Sequence, residues 1–232
     1  MAVHKSLAVA LLALAIGGCA NLTADRPLFS VADQGPPPLT EGIWIALGEE
    51  CAEHNVRRRR FPKECVPLEF RREADGAWRI AFRIDLVSNF NSRERAEAEL
   101  DAANGPYRLI LAPAVERETG EGFAPLYVGE LDQLRNEDDS ITYAVVAPIG
   151  AMPATEMRLL GMIGCDDILR DGPIEGITPD YQTRIDEDGV SHQDLRGCTG
   201  TSQAAVREAV RRALIENLDE ITKSRFVFVR AN

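Results

Sequence analysis

Histidine is nearly missing from this chain: His4, His54 and His192 are all it has in 232 residues. No two of them stand one helical turn apart, which excludes a metal site built on a helical pair of histidines. There is no glycine-rich phosphate loop and no serine elbow between strand and helix, so neither a nucleotide cradle nor an activated hydroxyl of that kind is present. Long apolar runs are missing too. The longest, Leu7 to Ile16, has ten residues, about half of the ~20 that a helix needs to span a bilayer core. Basic residues are outnumbered, 26 against 37 acids, for a net charge of −11. An acidic surface repels nucleic acid and anionic headgroups, so nucleic acid is excluded as a partner.

What is present begins at the N-terminus. Lys5, with His4, gives a positive start, the ten apolar residues follow, and Ile16-Gly17-Gly18-Cys19 closes the segment. A run of this length can engage a translocon but cannot remain as a span, and two glycines let the backbone enter a peptidase cleft. The pattern resembles the signal peptide and lipobox of bacterial lipoproteins, with Ile16 and Gly17 in place of the commoner Leu and Ala or Ser. The alternative is an ordinary secretory signal cut nearby. The resemblance implies that the Cys19 thiol carries a diacylglyceryl group, that residues 1–18 are removed and that the new amine is acylated. Two or three chains, at about 0.8 kcal/mol per buried methylene, anchor far more firmly than one. Ala20 stands where an Asp favours inner-membrane retention in that family, so the resemblance implies an outer-membrane lipoprotein facing the periplasm. The 23 Arg against 3 Lys match the bias of GC-rich genomes.

Residues 19–40, with Gln34-Gly35-Pro36-Pro37-Pro38, lack helical or strand period and read as a lipidated cysteine followed by a polyproline-biased tether. Residues 41–232 then form one domain, large enough for a buried core. Four cysteines follow the anchor, an even number that in an exported chain means two disulfides in one of three pairings. Cys51 with Cys65 and Cys165 with Cys198 are favoured, because each pair flanks a polar, turn-rich loop. Closures of these lengths contribute about 3 and about 4 kcal/mol in the chain-entropy model. Zinc is the alternative, but spacings of 14, 100 and 33 residues match no close-paired ligand motif.

Trp78, Ile80, Phe82, Ile84 and Leu86 alternate with polar or small residues, the period-two pattern of a strand with one face on a core. Val66 to Glu73 precedes it across Ala74-Asp75-Gly76, a hairpin signal. Further strands are expected at Ile43 to Leu47, Tyr107 to Ala112, Leu126 to Leu131, Ile141 to Ala147 and Met157 to Ile163. A late surface hairpin is expected between Tyr181 and Leu195, and a strand buried on both faces at Phe226 to Val229. Ser202 to Ile221 places Val206, Val210, Ala213 and Leu214 on one helical face, with Arg207, Glu208, Arg211 and Arg212 outward. Asn91 to Ala103 reads as a shorter capped helix, although its alanines also alternate. The expected class is α+β: mainly antiparallel sheet, as a sandwich or curled sheet, with a C-terminal amphipathic helix packed on it. A transmembrane barrel is set aside because the chain ends in Asn232, without a terminal aromatic.

Candidates for chemistry are few. His192, with Asp194 beside it, reads as a solvent-facing strand residue, and Asp186-Glu187-Asp188-Gly189 as a turn without the later ligands of a calcium loop. No cofactor or metal is called for, and no catalytic residue is assigned. One feature departs from the acidic average: Arg57, Arg58, Arg59, Arg60 and Lys63 lie inside the loop that Cys51 and Cys65 would close. Such a loop holds part of its bound shape in advance, and guanidinium forks suit carboxylate and phosphate partners. The reading is a membrane-anchored envelope lipoprotein with a non-catalytic partner-binding or structural domain, contacting an anionic envelope component or an acidic protein. A hydrolytic or metal-dependent envelope enzyme is the alternative.

Overall fold

The computed structural model describes residues 20–47, 51, 53–63, 65, 67–88, 90–92, 95, 105–115, 126–133, 141–186, 189–216 and 227–231. Among these residues eleven strands make one sheet: β1 (Leu22–Ala24), β2 (Gly42–Leu47), β3 (Pro67–Arg72), β4 (Trp78–Phe82), β5 (Tyr107–Val115), β6 (Leu126–Gln133), β7 (Ile141–Ile149), β8 (Glu156–Met162), β9 (Ile177–Ile185), β10 (Ser191–Gly200) and β11 (Val227–Arg230). β2 to β8 follow one another around a barrel, and β11 closes it by pairing with both β8 and β2, every neighbour antiparallel. The fold is therefore a closed eight-stranded barrel with extra strands. It replaces the expected α+β sandwich or curled sheet with a C-terminal helix. Alternation along each strand predicts a one-sided apolar sheet equally well whether that sheet stays open or closes, so period alone did not reveal the barrel.

Closure puts the apolar sides of all eight strands inside. Trp44, Leu68, Phe70, Trp78, Ile80, Leu109, Leu111, Tyr127, Val146, Met157 and Phe228 form one cluster, with Trp44 and Trp78 fully buried. An eight-stranded barrel is just wide enough for side chains to fill, and these large ones occupy it. Charged residues point the other way on β3 and β4: Arg83 pairs with Glu69 at 3.3 Å and Arg79 with Glu73 at 3.7 Å. On these two strands, apolar inside and charged outside is the reverse of the membrane-spanning pattern. The β3–β4 turn is the expected hairpin. Gly76 takes φ +92°, and Asp75 accepts the Ala77 amide at 2.9 Å.

Residues 20–39 are not a tether. They strap the barrel and repair two seams in it. β8 pairs with β7 only from Ala144 to Ile149, and β1 takes its place at Ile141 and Thr142. β1 also runs parallel to β10, with Leu22 opposite Cys198. Further on, Gln34 reaches the end of the β4–β5 ladder. Its Nε2 donates to Gly76 O at 3.0 Å and its Oε1 accepts the Leu111 amide at 3.5 Å. Leu22, Ala24, Phe29 and Leu39 are buried along the way. A strap that pairs through three residues and otherwise buries isolated side chains has no period, which is why it read as a linker.

Helix α1 (Cys165–Leu169) and helix α2 (Gln203–Glu216) cover the outer wall of β5 to β7. α2 buries Ala205, Val206, Ala209, Val210 and Leu214, the stripe its sequence period predicts. Two arginines expected to face solvent do not. Arg212 donates to Ile168 O, Gly172 O and Pro173 O, closing the C-terminal end of α1, and Arg207 donates to Pro113 O with its guanidinium over the Phe29 ring. Their stems lie on apolar surface while their heads satisfy carbonyls. In β11 only Phe228 is buried and its neighbours are half-buried. The Asn91 to Ala103 expectation falls mostly outside the described residues, as do residues 217–221 of the second helix.

Candidate functional site

The basic loop lies against the outer side of β2. Cys51 and Cys65 are joined in a disulfide, as are Cys165 and Cys198, the pairing favoured from sequence. Cys51, Cys65 and Phe61 pack with Ile45 and Ala231 in a small cluster of their own. Phe61, 2% exposed, pins the loop centre: its amide donates to Leu86 O at 2.9 Å, and its carbonyl accepts the Ser88 amide at 2.7 Å and the Ser88 hydroxyl at 3.0 Å. Upstream, buried Asn55 accepts the Arg58 amide at 3.0 Å. Between these pins the chain carries Arg57, Arg58, Arg59 and Arg60, all exposed, and Lys63 beyond them is exposed as well. None of the four guanidinium groups pairs with a carboxylate of a described residue, whereas arginines elsewhere in the molecule do. The result is a row of cations on a loop fixed at both ends.

His192 and its neighbours occupy the hairpin of β9 and β10. His192 Nε2 lies 2.8 Å from Asp186 Oδ2, while Asp194 is taken by Arg184 at 3.1 Å. The carboxylate beside His192 is thus the turn residue rather than the strand residue named from sequence. Asp186 also accepts the Val190 amide at 2.8 Å, so it serves the turn. Alternation puts Ser191 on the opposite face from His192, so among the described residues the hairpin supplies no hydroxyl nucleophile to the pair. Residues 187 and 188 of the acidic turn lie outside the described residues. Among the described residues no three His, Cys, Asp or Glu side chains gather as metal ligands. Cys19 also lies outside them, and no described helix is long and apolar enough to cross a membrane.

One charged group was missed from sequence. Glu130 faces outward on β6 and is 2% exposed beneath the strap. Its Oε2 accepts the Leu28 amide at 2.8 Å, the Phe29 amide at 3.0 Å and the Tyr143 hydroxyl at 3.1 Å. Burial pushes its carboxyl above the ordinary value despite these donors and the nearby Arg108 charge. The available signal was an acid inside the apolar strand Leu126 to Leu131, one residue from its end. Its role here is to hold the strap, since its donors are two backbone amides of the strap and a tyrosine of the barrel wall.

The chain matches no family model, no curated protein and no solved structure.

Proposed function

We propose that the protein is an envelope lipoprotein, anchored through Cys19, whose barrel is a non-catalytic binding module and whose disulfide-closed loop contacts an anionic envelope component. The observation that carries this reading is the row Arg57 to Arg60, exposed and without carboxylate partners among the described residues. In a chain of net charge −11, arginines near the protein's own acids would gain by pairing with them. Four of them that pair with no acid among the described residues, on a loop fixed by a disulfide and by buried Phe61, offer their forks to phosphate or carboxylate groups at a lower entropy cost on contact. A barrel filled with its own side chains agrees with a scaffold role, in which the loop and not the interior meets the partner.

Two measurements test the reading. Replacing Arg57, Arg58, Arg59 and Arg60 by Gln should weaken association with isolated envelopes and flatten its salt dependence, with little change in melting temperature, because exposed charges contribute little to folding. Unchanged recovery would remove the loop as the contact, and crosslinks from the loop to an acidic protein would move the partner to that class. Cys19→Ser should shift the protein from the membrane to the soluble fraction. Unaltered fractionation would refute the anchor.

A further inference from the structure

β9 is the last strand of the sheet and has no neighbour beyond it among the described residues. From Asp180 to Ile185 every residue is exposed, so both faces and the outer edge meet water, and Tyr181 and Ile185 are 51% and 69% exposed. The Asp186 amide donates to Val190 O at 3.0 Å. Alternation from that bonded pair turns the backbone of Arg184 and Gln182 toward β10 and that of Tyr181, Thr183 and Ile185 outward. Free edges are normally blunted by charged side chains, lysine above all, by proline, by a bulge or by being short, and β9 has Pro179, Asp180 and Arg184. This one is nine residues long and regular, and the only bulge in the pair lies on the β10 side. Pro179, at the root, has no amide to offer outward.

The strand is complementary to itself. Running antiparallel to a second β9 about a two-fold axis through Gln182, Asp180 of each copy faces Arg184 of the other, and Tyr181 faces Thr183 with Ile185 diagonal to it. Moving the axis to Tyr181 sets Asp180 against Gln182 and loses both ion pairs. Moving it to Thr183 sets Asp180 against Asp186, a like-charge contact. Arg184 lies on the same face of the strand as Asp180, with its guanidinium now turned toward β10. Its Nε is on Asp194 at 3.1 Å, and a guanidinium has further donors for a second carboxylate. We propose that β9 is a self-association edge that joins two copies into one continuous sheet about Gln182. This inference does not rest on the anchor or on the basic loop.

The register makes the test specific. Residue 182 would face itself in a non-hydrogen-bonded pair with Cα atoms about 4.5 Å apart, a separation a disulfide spans. Purified full-length protein carrying Gln182→Cys, oxidised in solution, should give a covalent dimer on non-reducing gels, absent from the parent. Tyr181→Cys and Thr183→Cys should each fail alone and crosslink when coexpressed. Adding Asp180→Arg to Gln182→Cys should cut the dimer about tenfold, and adding Arg184→Asp as well should restore it. Mapping of the two native disulfides confirms that each variant is folded. No dimer from folded Gln182→Cys, a dimer from Tyr181→Cys alone, or indifference to the charge changes would each overturn the proposal.

Discussion

Glu130 and Tyr143 face each other across the β6–β7 ladder, and the Tyr143 hydroxyl donates to Glu130 Oε2 at 3.1 Å. The same oxygen receives the Leu28 and Phe29 amides, so one carboxylate ties the barrel wall to the strap at two points. Without it those two amides would lie against a closed wall with no acceptor. Such groups cost about 1–3 kcal/mol each when left unpaired. Burial, and then the Glu130 charge, push the Tyr143 phenol far up, so it remains a donor at any ordinary pH.

A pH prediction follows from the raised Glu130 carboxyl. Its folded value lies above the ordinary 4.5 because burial disfavours the charged form. The native state therefore holds this proton where the unfolded chain has released it. Stability from Glu130 is full below the ordinary value, declines as pH rises through the raised folded value, and is level above it. Glu130→Gln should remove that decline, so its stability relative to the parent should rise with pH across the window. Denaturant melts of both proteins from about pH 4 to about pH 8 measure the difference, and subtraction cancels the other carboxylates. Parallel curves would contradict the assignment. Glu130→Ala should instead destabilise at every pH, by at least about 1–3 kcal/mol.

Gln34 gives a second test of the strap. It is 1% exposed and bonds the Gly76 carbonyl and the Leu111 amide where β4 no longer reaches β5. Gln34→Leu keeps most of the volume but leaves both backbone groups unpaired, which should cost about 1–3 kcal/mol for each. Gln34→Glu should cost more, because it loses the donor to Gly76 and adds a buried charge. Chemical denaturation distinguishes the order. Equal stability of all three proteins would mean that water serves the seam instead.

The parts of the fold legible in sequence are those governed by local period and by cysteine count. The alternation from Trp78 to Leu86 gave β4, although the strand stops at Phe82 and Ile84–Leu86 turn into a 3-10 helix; the valine and leucine face of α2 was readable at i, i+3 and i+4, and both disulfides followed from loop closure. Closure of the barrel was not legible, because the β11 pairings with β2 and β8 depend on contacts far apart in the chain. The strap was missed because Leu22, Phe29, Gln34 and Leu39 are buried singly among prolines and polar residues. In the candidate site, the arginine row was visible as composition. The pins Asn55 and Phe61, which hold it outward, were not, since one asparagine and one phenylalanine in a charged loop carry no pattern.

The strap also predicts a division of labour between the disulfides. Cys198 pairs with Leu22 across the β1–β10 ladder, and the Cys165 amide donates to Ala20 O, so the Cys165–Cys198 bridge holds the strand that seals the β7–β8 seam. Cys51–Cys65 holds only the basic loop and its small cluster. From separations of 33 and 14 residues, loss of the bridges should cost about 4 and about 3 kcal/mol. Those totals are close, so stability alone does not separate them. Hydrogen exchange does. Cys165→Ser with Cys198→Ser should release protection at Leu22, Thr23 and Ala24, whereas Cys51→Ser with Cys65→Ser should leave β1 protected and expose the Phe61 and Ser88 amides. If β1 exchanged equally in both variants, the strap would be held by the barrel wall and Glu130 without help from the bridge.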